Sequence, residues 1–326
     1  MNYNDSSVET GRRHYYSSSQ GPFHNANNIF MFYGGGDRGL IVESIIRSIR
    51  SDESLIHVHG EPGSGKTLLS LVISDRMKNR YNTIRYEVPD ISESLLLRHL
   101  LIELCPQKAD LISAEDAQAG APKEAISAAL IALINQLNDS IANRIRKPYV
   151  LLVDSHAQMD QQTLHIIEQL SAVKVSGRTI MHCVVFNREK QKSGISHLNP
   201  QDSLPPNHYH LRRLTLAEIN EYLRHHMLLF DFNRRDLFTR EMSYFIADRS
   251  EGVFRAINKL ARNAFTIANL EAADKVSMSH LLMAGLPPRA EPSYESSFLA
   301  RHRAGVIAFM GSCVVASAAA AVFLMR

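Results

Sequence analysis

From residue 21 to about residue 285, short apolar runs alternate with amphipathic stretches, and this alternation predicts the fold class. Residues 54–59 (SLIHVH), 83–88 (TIRYEV), 149–154 (YVLLVD) and 179–186 (TIMHCVVF) are rich in β-branched and aromatic side chains and read as strands, with 208–211 as a weaker fifth. Between them, 66–78, 92–104, 125–144 and 161–172 set Leu, Ile and Ala at helical spacing. Strands that alternate with helices predict an α/β domain whose mainly parallel sheet is covered on both faces. After Leu214 the strand pattern stops. Residues 215–229, 239–249, 253–269 and 277–284 carry helical spacing and predict a small all-α second domain. Thr215 followed three residues later by Glu218 is a capping-box signature for the first of these helices.

The two ends of the chain differ from this middle. Residues 1–20 are rich in Ser, Tyr and Asn without periodicity, and read as a disordered tail. Residues 286–298 (LPPRAEPSYESSF) have the Pro and Ser content of a linker. Residues 304–325 then contain no charge, with Arg301, His302 and Arg303 before them and Arg326 after. A helix of that length rises about 33 Å, enough for a hydrocarbon core of about 30 Å. A transmembrane helix is therefore expected there, with a buried core helix as the alternative. The preceding arginines favour a cytoplasmic N-terminal side. Ala304, Ala308, Ser312, Ala316 and Ala320 recur every fourth position, which fits close helix pairing and equally fits chance in an Ala-rich helix. The expected divisions are a tail (1–20), an α/β domain (21–214), a helical domain (215–285), a linker (286–303) and the span (304–325).

Composition narrows the class further. The chain has 326 residues, 45% hydrophobic and 21% charged, which excludes collagen-like and wholly disordered readings. With 36 Lys and Arg against 33 Asp and Glu, the net charge of +3 gives no chain-wide nucleic-acid footprint. Cys105, Cys183 and Cys313 are too scattered for a disulfide framework or zinc ribbon, which fits a reducing cytosolic site for the folded part.

The strongest motif is Gly60-Glu61-Pro62-Gly63-Ser64-Gly65-Lys66-Thr67, which fits G-x-x-x-x-G-K-[ST] between an expected strand and an expected helix. Gly63 and Gly65 permit the backbone angles that turn N–H groups toward a phosphate. Lys66 can reach β- and γ-phosphates, and the Thr67 hydroxyl can hold Mg²⁺. Asp154, ending the run YVLLVD, can hold the same ion through water. ATP and Mg²⁺ are therefore the expected cofactors.

The order of these parts resembles the AAA+ ATPases and, within them, the ExeA (general secretion pathway protein A) family, over about residues 22–285. The resemblance rests on Pro22-Phe23 ahead of a helix and the first strand, Gly60-Glu61 opening the phosphate loop, and LLVD before a helix. It continues with His210-Leu211-Arg212-Arg213-Leu214-Thr215, then Glu218 and Tyr222, and with Gly252-Val253-Phe254-Arg255-Ala256-Ile257-Asn258, where Phe254 stands in place of a family Pro. It implies that Asn187 is the sensor-1 amide that orients the attacking water, and that Arg255 is the sensor-2 cation of a helical lid. It also implies a homo-oligomer. The family's Asp-Glu pair is here Asp154-Ser155, and serine cannot act as a carboxylate base, so slow hydrolysis is expected. His156, Asp160 and Glu61 are the nearby substitutes. Arg188, Arg212 and Arg213 are the candidates for an arginine finger.

The resulting expectation is a membrane-anchored cytoplasmic ATPase of the inner membrane that helps assemble or regulate an envelope or secretion complex, with a membrane or envelope protein as partner. Nucleic acid is not expected as a partner. The alternatives are a DNA-associated regulator like the transposition ATPases, or a nucleotide switch in a membrane-linked defence system. Arg144, Arg146 and Lys147 form only a short basic cluster for the DNA reading.

Overall fold

A helix precedes the first strand. α1 (Arg38–Arg50) places Ile41, Val42, Ile45, Ile46 and Ile49 on one buried stripe. The chain then runs through β1 (Leu55–Gly60), α2 (Lys66–Met77), β2 (Asn82–Val88), α3 (Glu93–Leu104), the short α4 (Ala114–Ala119) and α5 (Lys123–Ala142). β3 (Tyr149–Ser155), α6 (Gln161–Ser171), β4 (Lys174–Val175), β5 (Arg178–Thr179), β6 (Met181–Arg188) and β7 (His208–Leu211) follow. The helical part comprises α7 (Leu216–Leu229), α8 (Arg240–Ser250), α9 (Phe254–Leu270) and α10 (Met278–Met283). This computed structural model describes residues 23–24, 27–88, 92–142, 147–155, 159–188, 206–229, 238–273 and 275–285.

Five strands form one parallel sheet in the order β2-β3-β6-β1-β7. β3 is buried along its whole length, as expected for a strand covered on both faces. On one face, Ile56, Val58, Leu152, Val184 and Phe186 pack against α1 and α2. On the other, Tyr86, Leu151, Val153, Cys183 and Val185 pack against Leu97 and Leu100 of α3, Leu133 of α5 and Ile167 of α6. The α/β expectation holds, and the helix predicted over 125–144 runs from Lys123 to Ala142.

The expected strand 179–186 starts later than its hydrophobic pattern suggests. Arg178–Thr179 pairs antiparallel with Lys174–Val175, and β6 begins at Met181. Ser176 and Gly177 both take positive φ (54° and 79°), the geometry of a two-residue hairpin turn, so this segment closes on itself first.

The helical part has its own core. α9 buries Ile257, Leu260, Ala261, Ala264, Phe265 and Ala268, a stripe at 3.6-residue spacing, against Leu223 and Met227 of α7 and Ile246 of α8. The Thr215–Glu218 capping box is present: Thr215 N donates to Glu218 Oε2 (2.8 Å) and Glu218 N to Thr215 Oγ1 (3.4 Å). Phe23, far upstream in the chain, is fully buried in this same core, stacked on His226 at 5.3 Å.

Residues 23–285 fall in one compact unit that ends at Gly285. The tail, the linker and the expected span at 304–325 lie outside the described residues. Among the described residues no helix is long and apolar enough to cross a membrane.

Candidate functional site

β1 lies inside the sheet between β6 and β7, and its carboxyl end at Gly60 opens the phosphate loop. Crevices outside the carboxyl ends of parallel strands are where such sheets bind ligands. Gly63 and Gly65 sit at φ +85° and +96°, a region that side chains other than glycine's enter only with strain. A Cβ at Gly63 would also lie 2.6 Å from the Arg255 Cβ. The loop leads straight into α2, so its N–H groups and the positive end of that helix face the same space. Lys66 Nζ donates to the carbonyls of Gly60 (2.7 Å) and Glu61 (2.9 Å), which holds the ammonium over the loop. Thr67 Oγ1 donates to Asp154 Oδ2 at 2.5 Å. Asp154 is only 3% exposed, and the hydroxyl and carboxylate form a pair of hard oxygen donors suited to Mg²⁺.

A cavity of about 450 Å³ opens over this loop. Pro62, Gly63, Ser64, Gly65, Lys66 and Thr67 line it, together with Asp154, Ser155, Arg188 and Arg255. Phe32, Tyr33, Tyr222 and Phe254 add aromatic surface, with Tyr222 and Phe254 edge to face at 4.8 Å. Tyr222 Oη donates to Asn258 Oδ1 at 2.6 Å, which orients the phenol beside the cavity. The Arg38 guanidinium lies 4.8 Å over the Phe254 ring, and burial pushes its pKa down to about 10. Among the described lining residues Asp154 is the sole carboxylate, against Arg38, Lys66, Arg188 and Arg255. That imbalance makes a cavity for a polyanion.

Two of the residues assigned to the loop lie outside the cavity wall. Gly60 belongs to the strand beneath, where a Cβ would meet Ser64 Oγ at 2.7 Å. Glu61 turns away, its Oε1 accepting from Arg213 Nε at 2.9 Å. Arg255 stands in the first turn of α9 and lines the cavity, and its backbone N donates to Gly63 O at 3.2 Å.

Asn187 is placed differently from the sensor-1 expectation. Its Nδ2 lies 3.3 Å from His57 Nδ1, and it is not among the lining residues. Alternation along β6 is the reason: Asn187 pairs with His59 and shares the face of Cys183 and Val185, while Arg188, the next residue, lines the cavity. The His57 ring stacks on His208 at 4.5 Å, and burial, then His208 and His59, pull its pKa down to about 4. Among the described residues no histidine group has a metal-holding arrangement.

Two of the three expected substitutes for a carboxylate base, Glu61 and Asp160, are engaged with other partners. Glu61 is held by Arg213, and Asp160 caps α6 by accepting from Thr163 N at 2.6 Å. His156 lies outside the described residues. Two finger candidates are likewise committed. Arg212 pairs with Asp37 (2.6 Å) and, through two nitrogens, with Glu218 (2.6 and 2.8 Å). The Arg212 hydrogen bonds hold the Glu218 carboxyl down to about 2. Arg213 joins Glu61 to Glu251.

Arg38, Tyr33 and Phe32 line the cavity without having stood out in the sequence. The flanking Gly34-Gly35-Gly36 run is the one local sign that backbone there approaches other groups closely. A Cβ at Gly36 would meet Leu214 at 2.4 Å.

Residues 40–184 match the profile of the AAA ATPase domain. No curated protein matches the chain. Among solved structures, Drosophila ORC bound to DNA is similar at 16% identity and TM-score 0.51, covering 87% of this chain and 67% of that one. The Aeropyrum pernix ORC1 protein in complex with DNA is similar at 15% identity and TM-score 0.51 (76% and 63%). Cdc6p from Pyrobaculum aerophilum follows at 11% identity and TM-score 0.53 (77% and 66%). The chain thus spans about two thirds of the length of these structures, and at such identities the likeness shows the fold alone. The family matched is the broad AAA ATPase domain, and the narrower ExeA likeness rests on motif order.

Proposed function

Taking residues 40–184 as an AAA ATPase domain, we propose that the chain binds Mg·ATP in the cavity over Gly60–Thr67 and acts as a nucleotide-dependent switch with slow hydrolysis. The observation that carries this reading is the charge pattern of that cavity. Four cations and the Thr67–Asp154 oxygen pair line it, and the described lining residues include no second carboxylate to serve as base. Thr67 and Asp154 would hold Mg²⁺, which supplies charge neutralisation at the phosphates when bound. Loop N–H groups and Lys66 bind the phosphates, Arg255 approaches from the helical lid, and the aromatic surface suits a purine ring. With Ser155 at the position of the base, binding is retained and turnover is slow.

The test is equilibrium titration with Mg·ATP. Wild type should bind, and Lys66→Ala should lose binding by at least about 10-fold, because it removes a charge-assisted donor to the phosphates. Equal affinities for the two proteins would refute the site.

Oligomerisation and a role in assembling an envelope complex are carried by the ExeA resemblance. Attachment through residues 304–325 to the inner membrane is carried by the length and lack of charge of that stretch. A DNA-associated role is the second reading, favoured by two similar structures that hold DNA. On that account DNA stays among the candidate partners, contrary to the expectation from net charge. A gel shift that weakens steeply with salt would support DNA binding, and no shift at low salt would refute it.

A further inference from the structure

We propose that Arg213 is a positioning residue that clasps the phosphate loop to the helical lid, and that the chain's preference for nucleoside triphosphate over diphosphate depends on this clasp. The inference rests on the reading of the cavity as a nucleotide site and adds the device that sets its lid. Arg213 lies in the connection between β7 and α7, and one guanidinium reaches carboxylates from two different elements. Its Nε donates to Glu61 Oε1 (2.9 Å) in the loop, and its Nη1 donates to Glu251 Oε2 at the end of α8.

The contacts close into a circuit. Glu251 takes a left-handed conformation (φ 49°) and is followed by Gly252 (φ 77°). A Cβ on Gly252 would sit 2.3 Å from Leu214 O, and Leu214 N donates to Gly252 O at 3.0 Å. The turn at 251–252 is thereby pressed against the residue next to Arg213. Two residues past this turn α9 begins, and there Arg255 N donates back to Gly63 O at 3.2 Å. Going round, Glu61 meets Arg213, Arg213 meets Glu251, the turn delivers Arg255, and Arg255 meets Gly63. The loop that receives phosphates and the lid arginine that faces them are therefore held in one frame.

Stability is a poor explanation for this arrangement. The three side chains are 27–37% exposed, and ion pairs at such exposure contribute about 1 kcal/mol or less. A forked guanidinium does fix direction, because its planar donors hold two carboxylates at a set angle. Lysine, a single flexible point charge, holds one carboxylate at a time.

The test uses the full chain and titrates Mg·ATP and Mg·ADP into wild type, Glu61→Gln, Glu251→Gln, the double variant and Arg213→Lys, with a thermal melt of each in the absence of nucleotide. Each neutralised variant and Arg213→Lys should lose about 5- to 10-fold in the ATP-to-ADP affinity ratio, while ADP affinity stays within about 2-fold. The double variant should be no worse than either single one, since breaking either half opens the circuit. A role confined to stability would lower melting temperatures additively and leave the ratio unchanged. Unchanged ratios, equal losses for both nucleotides, strictly additive losses, or a wild type without ATP preference would each overturn the clasp. A wild type that binds neither nucleotide would instead overturn the nucleotide site itself.

Discussion

Ser155→Glu places a second carboxylate beside Asp154 in the cavity, and its effect can be worked from the structure. Ser155 ends β3, pairs in register with Val88 of β2, is 2% exposed and lines the cavity beside Asp154. A positioned general base contributes about 10²–10⁴-fold to rate, which corresponds to about 3–5 kcal/mol of barrier at 1.36 kcal/mol per factor of ten. A glutamate introduced without supporting contacts forfeits part of that, because misplacement by about 1 Å can cost 10²-fold. A gain of about 10- to 100-fold in single-turnover hydrolysis is expected. Mg·ATP affinity should change by less than about 3-fold, since the base acts in the transition state. The larger, charged side chain replaces a serine only 2% exposed, so a stability loss of about 1–3 kcal/mol is expected in a melt. Ser155→Gln is the control, with similar volume and no basic oxygen, and its rate should stay at the wild-type level. The assay is single-turnover hydrolysis of labelled ATP with enzyme in excess, for all three proteins. A wild-type rate in the ordinary enzymatic range, about 1 s⁻¹ or above, would refute the reasoning, as would a Ser155→Glu rate no faster than Ser155→Gln.

Two further outcomes follow from burial and from the chain's division at Gly285. Burial, then His225, pulls His226 from its ordinary 6.5 down to about 3, and its Nδ1 is buried without a partner. The unfolded chain takes up that proton near pH 6.5 and the folded chain does not until about pH 3, so stability falls as pH is lowered through this window. Between pH 7 and pH 5 the loss from this residue is about 2 kcal/mol, and His226→Phe should lose that much less over the same interval in chemical denaturation; equal slopes would contradict it. A chain ending at Gly285 should keep Mg·ATP binding and no longer sediment with membranes, whereas the full chain should; continued sedimentation of the shortened chain would rule out residues 304–325 as the anchor.

What was legible in the sequence is what depends on neighbours along the chain. The run Gly60–Thr67 announces its loop because Gly63 and Gly65 need conformations that other residues enter only with strain, and the strand before and helix after it have their own periods. Asp154 is legible as the end of an apolar run, and the Thr215–Glu218 cap as a three-residue spacing that the backbone of a first helical turn imposes. Strand alternation in the sequence likewise gives the period of β6 but not its phase relative to the cavity. Pairing of Asn187 with His59, and of Arg188 with Gly60, decides which of the two side chains faces the cavity, and that pairing belongs to the sheet. The same holds for Phe23 in the helical core and for Arg213 between Glu61 and Glu251. Each of these joins residues that no local period links, and each exists because separate elements had to bury their apolar faces against one another before the side chains could meet.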